Sequence, residues 1–420
     1  MLDINFIREN LKEVKQNIEN RRMKVDIDRL LVLDDKRREL QTEIDELRSE
    51  RNAGSKGKPT PEQIEKMKTV GDKIKNLEEE YNLVIVDFTD LLGQVPNMAH
   101  PSSPIGGEED FVTLSNDIEP KEFPFEPKDH EELMLNLDLV DFERGAKVAG
   151  SKFYYFKNDM VRMNQALINY GLDTLAQHGY TFVETPDLAQ NKIISGAGFN
   201  PRGEEKQIYN IEDDELSLVG TAEITMLGYH ADEVLDLSNG PKKYAALSHC
   251  FRTEAGSYGR TSKGLYRVHQ FTKLEMFIFC KPEESDALHE ELLQIEKEIM
   301  NGLEIPYRVI DIPTGDLGAP AYRKYDIEAW MTMRAENGFQ GDYGEVTSTS
   351  NCTDYQARRL NIKYKDEQGK NQFVHTLNGT AVVLSRFPIA IVENYQQEDG
   401  SIKVPAVLQK YMGKDTITKI

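Results

Sequence analysis

Residues 251–264 read Phe-Arg-Thr-Glu-Ala-Gly-Ser-Tyr-Gly-Arg-Thr-Ser-Lys-Gly, between two runs of strand-forming residues. A glycine-punctuated loop joining antiparallel strands lets backbone amides and basic side chains wrap a phosphorylated ligand. Over residues 252–273 five basic residues, Arg252, Arg260, Lys263, Arg267 and Lys273, accompany one acid, Glu254. That concentration marks an anion site; a solvated basic hairpin is the bland alternative. Glu275 follows, flanked by Leu274, Met276 and Phe277. A carboxylate in an apolar strand needs a partner, which favours a functional role. Thr221 and Glu223, taken alone, read more simply as a structural hydroxyl and a solvated surface charge. Neither GxxxxGK[ST] nor a strand-to-helix GxGxxG is present, so a nucleotide would be held by other means. His249, His269 and His375 with Cys250, Cys280 and Cys352 fit no zinc-ligand spacing and are assigned to packing.

These groups lie in a mixed region, residues 127–420. A helix is expected over 160–178 and an extended stretch over 179–188. Strands are expected over 244–252 and 266–279, followed by a helix over 282–301. Further strands fall near 307–312, 339–349 and 373–377, with a last helix from Ala381 onward. Hairpin-connected strands followed by helices, without βαβ alternation, predict an α+β domain on an antiparallel sheet.

The first hundred residues read differently. A short helix is expected over 6–20, then a long one over 26–51 with Leu33, Leu40, Ile44 and Leu47 on one side. From Pro61, the residues Val70, Ile74, Leu77, Tyr81, Val84 and Phe88 alternate steps of four and three, the seam of a coiled coil. Residues 52–59 form the turn. Two helices of about 25 residues would make an antiparallel coiled-coil hairpin about 35–40 Å long; an anonymous pair of this kind is most simply a bundle or dimerisation module. The expected organisation is an arm over 1–100, a linker over 101–126 and the α+β domain over 127–420.

With 51 Lys and Arg against 72 Asp and Glu, the 420-residue chain has a formal charge of −21. That argues against a surface built for indiscriminate nucleic-acid binding. The excess is uneven: residues 1–100 hold 18 basic and 21 acidic side chains, the remainder 33 and 51. Within 51–76 the sign reverses, Arg51, Lys56, Lys58, Lys66, Lys68, Lys73 and Lys75 facing only Glu62, Glu65 and Asp72. Such an island attracts phosphate backbones without reading bases. Three scattered cysteines exclude a disulfide framework, and no signal-type start or run of 18 apolar residues occurs. A soluble, cytoplasmic protein with no membrane partner is expected.

Phe251-Arg252-Thr253-Glu254-Ala255-Gly256, with His269-Gln270-Phe271 and Glu275, resembles motif 2 of the class II aminoacyl-tRNA synthetases, most closely the seryl type. Residues 179–186, Gly-Tyr-Thr-Phe-Val-Glu-Thr-Pro, resemble the dimer-interface motif 1. Thr221-Ala222-Glu223 resembles the serine-binding tripeptide. Residues 345–351 and 356–359 resemble the segment before motif 3, and His375-Thr-Leu-Asn378-Gly379-Thr380 through Arg386 resembles motif 3 itself. The hairpin is similar to the family's arm for the long variable stem of serine tRNA. The likeness spans essentially the whole chain, in order.

The resemblance implies a class II catalytic domain that forms seryl-adenylate from serine and ATP, then transfers serine to tRNA(Ser), with selenocysteine tRNA left open as a second acceptor. It implies a homodimer in which one subunit's arm guides tRNA to the partner's site. Arg252 would clamp the α-phosphate and the serine carboxylate. Thr253 and Glu254 would meet the adenine, Phe271 would stack on it, and Arg386 would cover its other face or the γ-phosphate. Glu345, Val346, Thr347 and Ser348 would line the phosphates, with Glu345 and Ser348 holding Mg²⁺. Thr221, Ala222, Glu223, Glu275, Asn378 and Thr380 would surround the serine, and no zinc is expected. The basic island would bind tRNA. Against the family pattern, the tip between Asn52 and Gly71 is about ten residues shorter, an arm shorter by roughly 7 Å. Lys263 stands where arginine is usual, and Ala381, Val383 and Ser385 alter motif 3. Alternatives are a paralogue activating serine for another acceptor and a nonenzymatic coiled-coil partner protein.

Overall fold

The computed structural model describes residues 1–54, 60–199, 207–254, 264–332 and 341–419. Lys56, Lys58, Arg260 and Lys263 lie outside them. The chain forms two compact units, Met1–Met98 and Ala99–Ile420.

The first unit holds α1 (Ile4–Glu9), α2 (Leu11–Asn20), α3 (Ile27–Gly54) and α4 (Pro61–Gln94). The helix expected over 6–20 is two helices. The break falls at Asn10, whose backbone N–H turns back to the Phe6 carbonyl. At 28 and 34 residues, α3 and α4 exceed the expected 25. Thr60 and Gln63 form a reciprocal capping box that starts α4 at Pro61, and a Cβ at Gly71 would meet nothing, so that glycine costs only propensity. The seam is as the spacing predicts: Leu40, Ile44, Val70, Ile74 and Phe88 are buried. One buried position of α3 is charged. Asp34 is fully buried, with Arg8 Nε at 2.6 Å, Arg37 Nη2 at 2.5 Å and Arg38 Nε at 3.0 Å. Burial pushes its carboxyl up, but the hydrogen bond from Arg8 and the charges of Arg37 and Arg38 outweigh it and leave the pKa below the ordinary value. A depressed folded-state pKa gives stability that is present above the unfolded value and lost as pH falls through the folded one. Asp34→Ala is therefore expected to destabilise the helical unit by about 2–3 kcal/mol at neutral pH. In urea titrations of the full chain the difference from wild type should shrink in acid; equal midpoints at pH 7 would contradict this role.

The second unit is built on an eight-stranded sheet: β1 (Val112–Asp117), β2 (Thr181–Glu184), β3 (Lys242–Phe251), β4 (Gln270–Cys280), β5 (Tyr307–Asp311), β6 (Arg323–Met331), β7 (Asp342–Asn351) and β8 (His375–Val383). Their spatial order is β1-β5-β6-β7-β8-β4-β3-β2, all neighbours antiparallel except β2 with β3. One face is covered by α5 (Asp159–Gln177), α7 (Ser285–Gly302), α9 (Phe387–Asn394) and α10 (Ala406–Met412), with Met163, Leu292, Ile299, Ile391 and Leu408 in its core. Each such side chain contributes about 1.5–3 kcal/mol of burial. The other face carries α6 (Ala222–Tyr229) and α8 (Tyr355–Leu360) over Phe277 and Phe279.

Three expectations change. Residues 101–126 are more than a linker, since β1 pairs with β5 at the sheet edge. The helix expected from Ala381 begins at Phe387 and is followed by α10: Ala381 to Val383 finish β8, and their burial favours a central strand over a helix. β6 is an additional strand, with Tyr325, Ile327, Ala329 and Met331 buried on the helical side.

Candidate active site

The site is a floor of strand residues on the face opposite α7. On β4, Lys273 and Glu275 are two residues apart and so share this face. Lys273 Nζ lies 2.7 Å from Glu275 Oε1 and 2.8 Å from Thr221 Oγ1. Thr221 donates its hydroxyl to Glu275 Oε2 at 2.5 Å, and the backbone N–H of Glu223 donates to the same oxygen at 3.1 Å. The partner that an isolated carboxylate in an apolar strand requires is thus Lys273, with Thr221 as a second. Thr221 also caps α6, which fixes Ala222 and Glu223 in its first turn.

Glu223 Oε1 accepts from Gln356 Nε2 at 2.5 Å and Asn378 Nδ2 at 3.0 Å, while Thr376 holds Gln356 from behind at 2.7 Å. Burial first, then the nearby Glu275 charge, pushes the Glu223 pKa up to about 7. A surface charge is therefore the wrong description of Glu223. Thr221, Glu223, Glu275 and Lys273 thus form a buried polar cluster of two carboxyl groups and one ammonium.

Beside it lies a cavity of about 370 Å³, lined by Arg252, Glu254, Phe271, Glu345, Val346, Thr347, Ser348, Thr380 and Arg386 among others. The Arg252 guanidinium sits 5.2 Å over the Phe271 ring, and its Nε donates to the Gly220 carbonyl. Glu254 has φ +50 and pairs with Arg267 at 3.5 Å. Thr253, between them, is fixed by its backbone N–H on the Gln207 carbonyl. Arg386 Nη1 is 3.0 Å from Glu345 Oε1, and its guanidinium lies 4.9 Å over Tyr266. Burial would raise the Glu345 pKa, but the Arg386 and Lys324 charges outweigh it and hold the group down to about 2. Glu345 is an anion at any working pH.

Glu345 and Ser348 are three apart, which on a regular strand would place them on opposite faces. The pairing of β6 with β7 slips there: Thr347 faces Ile327 and Ser348 faces Asp326, but Glu345 faces Glu328, leaving Val346 extra. This bulge turns Glu345 and Ser348 to the same face.

The sequence reading omitted Lys324, Lys273 and Gln356 from the ligand-binding set. Lys324 lines the cavity from β6, its Nζ 3.3 Å from Asp326 Oδ2, and burial of that aspartate lifts its pKa to about 7. Alternation of polar and apolar residues along 324–329 is the available signal for it. Lys273 was counted only as part of a basic run; its spacing of two from Glu275 was the clue. On the arm, Arg51, Lys66, Lys68, Lys73 and Lys75 are solvent-exposed or nearly so, but Lys66 is paired with Glu50 at 2.6 Å and Lys75 lies 4.0 Å from Glu79. Among the described residues no group of three or more His, Cys, Asp or Glu could hold a metal ion.

Two family models match. Residues 1–99 fit the seryl-tRNA synthetase N-terminal domain and residues 207–395 the class II tRNA synthetase core domain of the G, H, P, S and T type. The chain is 55% identical over 430 residues to a serine–tRNA ligase of Treponema denticola, covering 99% of this chain and 100% of the relative. Among solved structures it resembles seryl-tRNA synthetase of Pyrococcus horikoshii complexed with ATP, with TM-score 0.89 and 39% identity over 100% of both chains. It also resembles the cytoplasmic serine–tRNA ligase of Naegleria fowleri in complex with AMP, with TM-score 0.86 and 32% identity over 100% of this chain and 99% of the other.

Proposed function

The chain belongs to the seryl-tRNA synthetase family of class II aminoacyl-tRNA synthetases, and from that premise we propose how its residues divide the reaction. It activates serine with ATP to seryl-adenylate and transfers the seryl group to tRNA(Ser). The observation that carries the assignment is the link between the two halves: Lys273, bonded to Thr221 and Glu275, also lines the cavity that holds Arg252, Glu345 and Arg386.

The serine carboxylate attacks the α-phosphorus in line and pyrophosphate leaves; a hydroxyl at the tRNA 3′ end then attacks the acyl carbonyl, releasing AMP. No protein nucleophile is needed, so catalysis is positioning and charge stabilisation. Arg252 presents a planar fork to the α-phosphate and the serine carboxylate. Glu223 holds the ammonium end of serine and Glu275 the hydroxyl end, with Thr221, Ala222, Asn378 and Thr380 surrounding them. A site built to bond a hydroxyl rejects analogues lacking it by about 10⁴–10⁵. Glu254 and Thr253 read the adenine, which packs against Phe271 and Arg386. ATP is used with a divalent cation. Glu345 and Ser348, two hard oxygen donors turned to one face by the Val346 bulge, suit Mg²⁺ with phosphate oxygens completing its shell. Bound there, it would offset phosphate charge; no zinc takes part in this scheme. Lys324 adds a cation to the same wall.

The unit Met1–Met98 forms the tRNA arm and Ala99–Ile420 the catalytic domain, and Arg51, Lys56, Lys58, Lys66, Lys68, Lys73 and Lys75 meet tRNA phosphates. The protein works in the cytoplasm as a homodimer through the 179–186 segment, each arm serving the partner's site. Among the described residues no helix is long and apolar enough to cross a membrane. Charging total tRNA with serine and sequencing what is acylated tests the reading: tRNA(Ser) is expected, and pyrophosphate exchange without any charged tRNA would favour the paralogue instead.

The Glu223 environment adds a pH signature. With its pKa raised to about 7, Glu223 must lose a proton before it holds an ammonium. The kcat/KM for serine is expected to rise about fivefold between pH 6 and 7, to about tenfold by pH 8, and then level off. Glu223→Gln should flatten that rise in pyrophosphate exchange; an unchanged slope in the variant would assign the titration elsewhere.

A further inference from the structure

The sheet splits beneath the site. β7 and β8 pair only at Thr349 with Gly379, Ser350 with Asn378 and Asn351 with Leu377. Beyond that point both strands bulge, at Val346 on β7 and at Ala381 on β8. One side of the split carries Ser348 and Glu345, the other Thr380, which pairs with Glu275. The phosphate-binding and serine-binding halves therefore sit on strands no longer joined by backbone hydrogen bonds.

The side-chain carboxyl of one glutamate spans the gap from below. Glu296, on α7, is only 1% exposed. Its Oε2 accepts the Thr347 hydroxyl at 2.9 Å and its Oε1 accepts the Thr380 backbone N–H at 2.9 Å. Gly379 permits the approach, since a Cβ there would lie 3.0 Å from Glu296 Oε1. An apolar core would leave both the Thr380 N–H and the Thr347 hydroxyl unpaired, so the buried carboxyl is an expensive way merely to fill space. We propose that Glu296 is a positioning residue that fixes the separation of the two substrate halves by bridging Thr347 and Thr380. It touches neither substrate. The inference rests on the assignment of the serine and ATP halves given above.

Its strength follows from geometry. Two separate reactants must meet in line, and a misplacement of about 1 Å can lower the rate about 100-fold. Glu296→Ala should lower kcat for serine-dependent pyrophosphate exchange about 100-fold while both KM values change less than about threefold, since each half keeps its own ligand contacts. Glu296→Gln can still accept from Thr380 N–H and can donate to the Thr347 hydroxyl, so it should restore kcat to within about fivefold of wild type. Thr347→Val removes one arm of the bridge without emptying the core and should lower kcat about tenfold with little change in the thermal midpoint. Wild-type kcat in both Thr347→Val and Glu296→Ala would overturn the proposal. So would losses confined to KM, or Gln as damaging as Ala. Absence of exchange in the wild-type enzyme would instead strike the functional assignment, so the two failures are distinguishable.

Discussion

Arg252→Ala is expected to lower serine-dependent ATP–pyrophosphate exchange by about 10³-fold, the scale of removing a preorganised donor from a developing charge. The arginine is aimed before substrate arrives: its guanidinium lies over the Phe271 ring and its Nε is tied to the Gly220 carbonyl. That tether leaves the terminal nitrogens facing the cavity and limits the rotamer freedom lost on binding. The effect should fall mainly on kcat, because charge on the α-phosphate grows as the carboxylate attacks. Arg252→Lys should recover little, since an ammonium offers a point charge where a fork bridges two groups. A loss below about tenfold in Arg252→Ala would remove this residue from the centre of the mechanism.

The arm carries the second large effect. Replacing residues 41–81 with a short glycine-rich turn is expected to lower tRNA serylation by at least about 10³-fold, since several phosphate contacts vanish together. Pyrophosphate exchange should change less than about twofold, because it needs neither the arm nor tRNA. Charge reversal refines the picture. Lys66 already faces Glu50 and so contributes less than its sequence position implies, whereas Arg51, Lys68 and Lys73 are exposed. Reversing each of these three should reduce the salt slope of tRNA affinity by about one. Full serylation by the deletion variant would mean that the basic island is incidental.

Much of this was legible in residue order. The heptad seam of α4 survives as buried Val70, Ile74 and Phe88 because a 3.5-residue period has one structural solution over 34 residues. Glu275 announced itself because a charge among Leu274, Met276 and Phe277 is intolerable without partners. What stayed hidden depends on pairing between distant strands. The bulge at Val346, which turns Glu345 and Ser348 to one face, is a property of register with β6. β6 is hidden for the same reason: Lys324, Asp326 and Glu328 resemble a wet surface until Lys324 is placed in the cavity wall with Asp326 beside it. The late start of α9 has a similar origin, since Ala381-Val382-Val383 is ambiguous between helix and strand until both faces are covered. The extra residue at the Ala381 bulge, which breaks the two-residue alternation of β8, hid it further.

The central claim is that one continuous site reads serine on one side and ATP on the other. ATP–pyrophosphate exchange by the full chain, run with each of the twenty amino acids in turn, tests it most directly. The account predicts exchange with serine, a signal with threonine and alanine lower by orders of magnitude, and none with the rest. Exchange driven by a different amino acid, or by none, would contradict it.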